Sequence, residues 1–69
     1  MTPPRRAFDG REVLIEITTL GAYAKVVAID SATGTEISIT GPADANRSAL
    51  ESAALRKLQF VLKKQSVKG

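Results

Sequence analysis

Few residues of the types that catalyse reactions or bind metals occur in this sequence. It has no cysteine and no histidine, which removes disulfides, thiolate or imidazole zinc sites and the usual general base at neutral pH. Glu16 and Glu36 are the nearest approach to a catalytic carboxylate pair. Lys25 is predicted to lie between them, so we interpret the three as a cross-strand charge ladder. We expect no enzyme activity, no catalytic residue, no cofactor and no metal.

A second polar cluster combines Asp30, Thr33 and Gly34. An acid, a hydroxyl and a glycine at this spacing are what a hairpin turn requires, and we prefer a turn to a phosphate or metal loop. The sequence has no P-loop and no dinucleotide-binding fingerprint.

The C-terminal part of the chain is basic. The formal net charge is +3, and no acidic residue follows Glu51. One interpretation is a stripe that contacts the phosphates of a nucleic acid; the other is a set of cations that complement a helix dipole and keep the surface soluble. The candidate polyanion contacts are Arg56, Lys57, Lys63 and Lys64.

The elements that would position these residues follow from the hydrophobic pattern. Alternating apolar residues predict three antiparallel strands, at about 12–18, 23–30 and 35–40. A turn at Leu20-Gly21, closed by Thr19 and Ala22, would place Glu16 opposite Lys25 and Ile15 opposite Val26. A turn from Asp30 to Thr35, with Gly34 left-handed, would place Ala28 opposite Ile37 and Val26 opposite Ile39.

A C-terminal helix is predicted at about 47–64, because apolar residues recur there at helical spacing. Either Asn46 or Ser48 can cap its N-terminus, and Ser48 has Glu51 at the capping-box spacing. The fold class is therefore α+β: a three-stranded antiparallel meander with one helix packed on one face. That face is predicted to be wholly apolar, with Val13, Ile15, Ile17, Ala24, Val26, Ala28, Ile37 and Ile39.

The domain is predicted to span residues 11–65, preceded by a flexible tail over residues 1–10 and followed by a frayed end at 66–69. No apolar run is long enough to cross a membrane, and the N-terminus lacks the apolar core of a signal peptide. We expect a cytoplasmic protein with no membrane partner.

The second face of the sheet is left without a covering element. Its apolar and amphipathic residues, together with an open edge at the first strand and an exposed helix position, predict a homodimer or a protein partner. The candidate interface residues are Leu14, Tyr23, Lys25, Val27, Ile29 and Phe60.

The run KVVAIDSATGTEISITGP and the helix segment ALRKLQFVLKK are similar to a family of short uncharacterised bacterial proteins. The shared pattern is an Ile-Asp-x-x-Thr-Gly-Thr-Glu turn and an Ala-x-x-Lys-Leu-x-aromatic-Val-Leu helix, and it covers Arg11 to Lys64. The resemblance implies no activity and no site residues. We expect a small interaction module that binds a protein partner or itself; the alternative is a nucleic-acid-binding accessory protein.

Overall fold

The fold is one antiparallel sheet with one helix on it. The computed structural model describes residues 5–8 and 11–67, and it describes the side chains of residues 12–65. The strands are β1 (Arg5–Phe8), β2 (Arg11–Leu20), β3 (Tyr23–Asp30) and β4 (Glu36–Pro42), and the helix is α1 (Arg47–Val67). The sheet order is β1-β2-β3-β4. The predicted α+β meander with a C-terminal helix is confirmed, and β1 adds a strand.

Strand β1 corrects part of the predicted N-terminal tail. Arg5 pairs with Leu14 and Phe8 with Arg11, so Arg5–Phe8 is strand where a flexible segment was expected. In the sequence, Asp9-Gly10 is a dipeptide favoured in two-residue hairpin turns, and the prediction of a flexible tail did not use that signal. The rest of the predicted tail, residues 1–4 and 9–10, lies outside the described residues.

The β2–β3 register also differs from the prediction. Leu20 pairs with Tyr23, Ile17 with Val26 and Glu16 with Val27, a shift of two residues. A two-residue shift leaves each side chain on its predicted face, so the alternation of apolar residues cannot detect it. The turn decides the register. Gly21 has φ of 63° at the first central position, as the primed hairpin turns require.

The β3–β4 register is as predicted. Ala28 pairs with Ile37 and Val26 with Ile39. The Asp30 N–H donates to the Thr35 carbonyl at 2.8 Å, which closes the expected four-residue loop. Gly34 has φ of 76°, the left-handed conformation expected of it.

Helix α1 lies over β3 and β4 and covers what we call the inner sheet face. On that face Val13, Ile15, Val26 and Ala28 are fully buried, whereas Ile17, at the β2 edge, is partly buried. Alanines on β3 leave room for the helix to approach the sheet. The helix contributes Leu50, Ala54, Leu55 and Leu58 to this core.

Both ends of α1 refine the prediction. Asn46 is the N-cap: its Oδ1 accepts from the Ser48 N–H at 2.8 Å and from the Ala49 N–H at 3.4 Å. At the other end the helix continues to Val67, past the predicted end near 64, which corrects the frayed end for residues 66 and 67. Residues 68 and 69 lie outside the described part.

Candidate functional site

Two surfaces remain uncovered in the described part of the chain. The first is the sheet face opposite α1, the outer sheet face. Five of the six candidate interface residues lie on it, whereas Phe60 lies on the helix, in the other layer. The predicted interface is therefore divided between two surfaces. Strands β2, β3 and β4 contribute to the outer sheet face Glu12, Leu14, Glu16, Thr18, Leu20, Tyr23, Lys25, Val27, Ile29, Glu36, Ser38, Thr40 and Pro42.

Cross-strand pairing arranges the outer sheet face in rows. Leu14 lies opposite Ile29, and Val27 occupies the next position on β3 that faces outward. These three side chains form an apolar group, each half-buried against its neighbours. A β-sheet face of this kind stays half-exposed unless a second layer packs on it.

A second apolar row lies at the turn end of the β2–β3 hairpin. Leu20 pairs with Tyr23, and Tyr23 pairs with Pro42. Leu20 is 46% exposed and Tyr23 48% exposed. The sequence prediction missed Leu20 because it assigned that residue to the turn. Recognition of the Gly21-Ala22 turn would have placed Leu20 beside Tyr23.

A polar row separates the two apolar groups. Lys25 lies between Thr18 and Thr40. The charge ladder predicted from Glu16 through Lys25 to Glu36 is therefore wrong, since Glu16 lies opposite Val27 and Glu36 opposite Ile29. The register shift of β2 moves Glu16 away from Lys25, whereas Glu36 lies opposite Ile29 in the predicted β3–β4 register as well. The outer sheet face thus carries charges of both signs between and beside its two apolar groups.

The predicted open edge of the sheet is shorter than expected. Strand β1 pairs with Arg11 to Leu14, so only residues 15–20 of β2 lack a strand partner on that side in the described chain. At the opposite edge, the Lys57 Nζ donates to the Ser38 carbonyl of β4 at 3.2 Å. A lysine placed along an edge strand discourages pairing with another chain.

The Asp30 cluster acts in its own turn. Asp30 is fully buried, and its Oδ2 accepts from the Thr33 N–H at 3.1 Å and from the Thr33 hydroxyl at 2.8 Å. The Thr35 hydroxyl donates to Gln65 Oε1 at 3.3 Å, which links the turn to the end of α1. The Asp30 carboxylate thus accepts from the backbone N–H and the hydroxyl of a residue three positions on and holds the turn in place, in agreement with the structural interpretation.

The second uncovered surface is the exposed side of α1 around Phe60, which we call the outer helix surface. Phe60 is 60% exposed, and the Lys64 Nζ lies 5.4 Å from its ring centroid. At exposed sites such cation–π contacts contribute about 0.5–1 kcal/mol. All four candidate polyanion contacts are exposed on this surface, which comprises Arg56, Lys57, Phe60, Lys63 and Lys64.

Glu51, the acidic residue of α1, does not lie on this surface. Glu51 is buried, and its Oε2 lies 3.3 Å from the Nε of Arg47, one turn earlier. The capping box considered for Ser48 and Glu51 does not form: Asn46 caps the helix, and Glu51 pairs with Arg47. From Ser52 to the end of the helix, the basic residues have no acidic neighbour on their own element.

Among the described residues, no three histidine, cysteine or acidic side chains come together in a group that could hold a metal ion. No helix in the described chain has both the length and the apolar character needed to cross a membrane.

Comparisons with known proteins place the chain in a family. The family model described as a domain of unknown function (DUF6898) matches residues 10–65, which include β2, β3, β4 and most of α1. No curated protein and no solved structure matches the chain. The predicted resemblance to a family without known function is confirmed over residues 10–65. The chain belongs to the DUF6898 family.

Proposed function

We propose that the protein is a small non-enzymatic interaction module that associates with a second copy of itself through the outer sheet face. The observation that carries this proposal is the pair of apolar groups on that face, one half-buried and one half-exposed, which no described element covers. Leu14, Val27 and Ile29 form one group, and the half-exposed Leu20 and Tyr23 form the other. Apolar groups left uncovered on one face of a small domain, with polar residues between and around them, are typical of an interaction site.

The charges on the two uncovered surfaces favour self-association through the sheet. The outer helix surface is wholly basic, so two copies of it repel each other. The outer sheet face carries Glu16 and Glu36 as well as Lys25, all exposed. A two-fold pairing of this face can bring the lysine of one copy near a carboxylate of the other.

Size argues in the same direction. A chain of 69 residues without cysteine has one small core, and such domains are commonly stabilised by oligomerisation. The face formed by β2, β3 and β4 measures roughly 27 by 15 Å, from the standard strand rise and spacing. This footprint is at the low end of specific interfaces, so we expect a weak, concentration-dependent dimer.

Sedimentation velocity over a concentration series tests the proposal. Wild-type protein should shift from monomer to dimer as its concentration rises. Val27→Glu places a carboxylate in the apolar group that Val27 forms with Leu14 and Ile29. The variant should remain monomeric, with an unchanged circular dichroism spectrum. Gln59→Glu is the matched control, because it adds the same charge on the exposed side of the helix and should leave the dimer intact. A wild-type protein that stays monomeric at high micromolar concentration contradicts the proposal.

A further inference from the structure

The outer helix surface has a specific arrangement of one aromatic ring among cations. Residues three and four positions apart on a helix are surface neighbours. Phe60 has a basic residue at each of these positions: Arg56 and Lys57 before it, Lys63 and Lys64 after it. The ring is 60% exposed.

Neither the helix dipole nor solubility accounts for this arrangement. The dipole favours cations within the last turn, yet Arg56 and Lys57 lie about three turns before Val67. Solubility alone does not require an exposed aromatic ring among the cations, since exposed phenylalanines are uncommon on a surface beyond what function needs. The combination fits a ligand with both negative charge and a flat apolar face.

We propose that the outer helix surface binds single-stranded nucleic acid, with a base stacked on Phe60 and phosphates contacting the four surrounding cations. Aromatic rings within basic grooves are the usual platform for unpaired bases, whose faces are accessible in a single strand and hidden in a duplex. Lys57 keeps donors for a phosphate besides the one that it uses on the Ser38 carbonyl. The Lys64 Nζ lies over one face of the ring, 5.4 Å from its centroid, so the base stacks on the opposite face and Lys64 remains close enough to contact an adjacent phosphate.

A membrane surface fits less well. The apolar stripe that an interfacial helix would insert into lipid is packed against the sheet, through Leu50, Leu55 and Leu58. Among helix residues 47–65, whose exposure is described, Phe60 is the one large apolar side chain that is exposed. A single ring provides little area for lipid, whereas it suffices for one base.

Fluorescence anisotropy at low salt, with labelled DNA and RNA strands of the same short sequence, measures the binding. Phe60→Ala should weaken binding by about five- to a hundred-fold, the range that loss of one stacked base gives. Phe60→Tyr should retain affinity, because it keeps the aromatic face. Phe60→Leu separates stacking from general apolar contact: it should behave as the alanine variant does. A leucine variant that binds as tightly as wild type overturns the stacking contact.

Charge and base contributions are tested separately. Four phosphate contacts to a single strand predict that the logarithm of the binding constant falls with the logarithm of the salt concentration at a slope of about −2.8. The double variant Arg56→Gln, Lys63→Gln removes two of these contacts and should reduce the magnitude of the slope by about 1.4. Lys25→Gln removes one charge on the outer sheet face and should leave the slope unchanged. The proposal is overturned if an abasic strand binds as tightly as one with bases, or if phosphatidylserine vesicles bind in preference to both strands. Val27→Glu should not affect this binding, so the result is independent of self-association.

Discussion

The two faces of β3 show how one strand can serve two purposes. Val26 and Val27 are adjacent and chemically identical, yet Val26 is fully buried under α1 and Val27 is only half-buried on the outer sheet face. The inner face uses small and branched residues so that a helix can pack on it, and it determines whether the chain folds. The outer face keeps apolar residues that no described element covers. The difference is the basis of our proposal that the outer face serves association.

The largest expected effects come from the inner face. Leu58 is fully buried at the centre of the core, and Leu58→Ala should lower the free energy of unfolding by about 2–5 kcal/mol through lost burial and a residual cavity. In a chain this small, that loss removes most of the stability. Urea unfolding followed by circular dichroism measures it. A loss below about 1 kcal/mol would contradict the packing of α1 on the sheet.

The two valines provide the direct comparison. Val26→Ala should lower the free energy of unfolding by about 2 kcal/mol. Val27→Ala should lower it by less than about 1 kcal/mol, because the Val27 side chain is only half-buried. Both variants are to be unfolded at concentrations where the wild type is monomeric, so that association does not contribute. Equal losses would remove the distinction between the two faces.

Close approach of the helix to the sheet can be tested at Gly41. A Cβ at this position would lie 2.8 Å from the Leu50 Cδ2, so Gly41→Ala should destabilise by about 1–2 kcal/mol. The Leu50 side chain is the group that must move. A double-mutant cycle with Leu50→Ala should therefore show coupling, with a smaller effect of Gly41→Ala when Leu50 is absent. Additive losses would show that the contact does not limit the packing.

The smallest effect concerns the helix start. Asn46→Ala should lower the free energy of unfolding by about 1 kcal/mol, because two N–H groups of the first turn lose their acceptor. Ser48→Ala is the matched control, since Ser48 has the sequence of a cap but lies inside the helix, and it should change stability little. Thermal unfolding of the two variants compares them. A larger loss for Ser48→Ala would reverse the assignment of the cap.

Sequence patterns predicted the layers of this fold better than its registers. Alternation placed Val26 inward and Val27 outward correctly, because side-chain direction depends only on odd or even position along a strand. The Asp30-Thr33-Gly34 turn fixed the β3–β4 register, since each residue has a specific role in that loop. The β2–β3 register depended on which two residues make the turn. A two-residue error keeps every side chain on the same sheet face, so the hydrophobic pattern cannot reveal it.

The candidate sites were predictable in part for the same reason. The outer sheet face followed from alternation, but its internal rows required the true register, and Leu20 was missed for lack of it. Phe60 was recognised as exposed, yet its membership of the basic surface became clear only with the helix in place. Strand β1 was missed because Arg5–Phe8 is short and has little alternation, although Asp9-Gly10 offered a hairpin signal.

The most direct test of the distinction between the faces of β3 is methyl NMR on dilution, from about 1 mM to about 10 μM, a range that spans weak dissociation constants. Self-association through the outer sheet face predicts concentration-dependent shifts at the methyl groups of Leu14, Leu20, Val27 and Ile29. The methyl groups of Val26 and Leu58 should not move. Shifts confined to the helix, or none at any methyl group, would contradict the account.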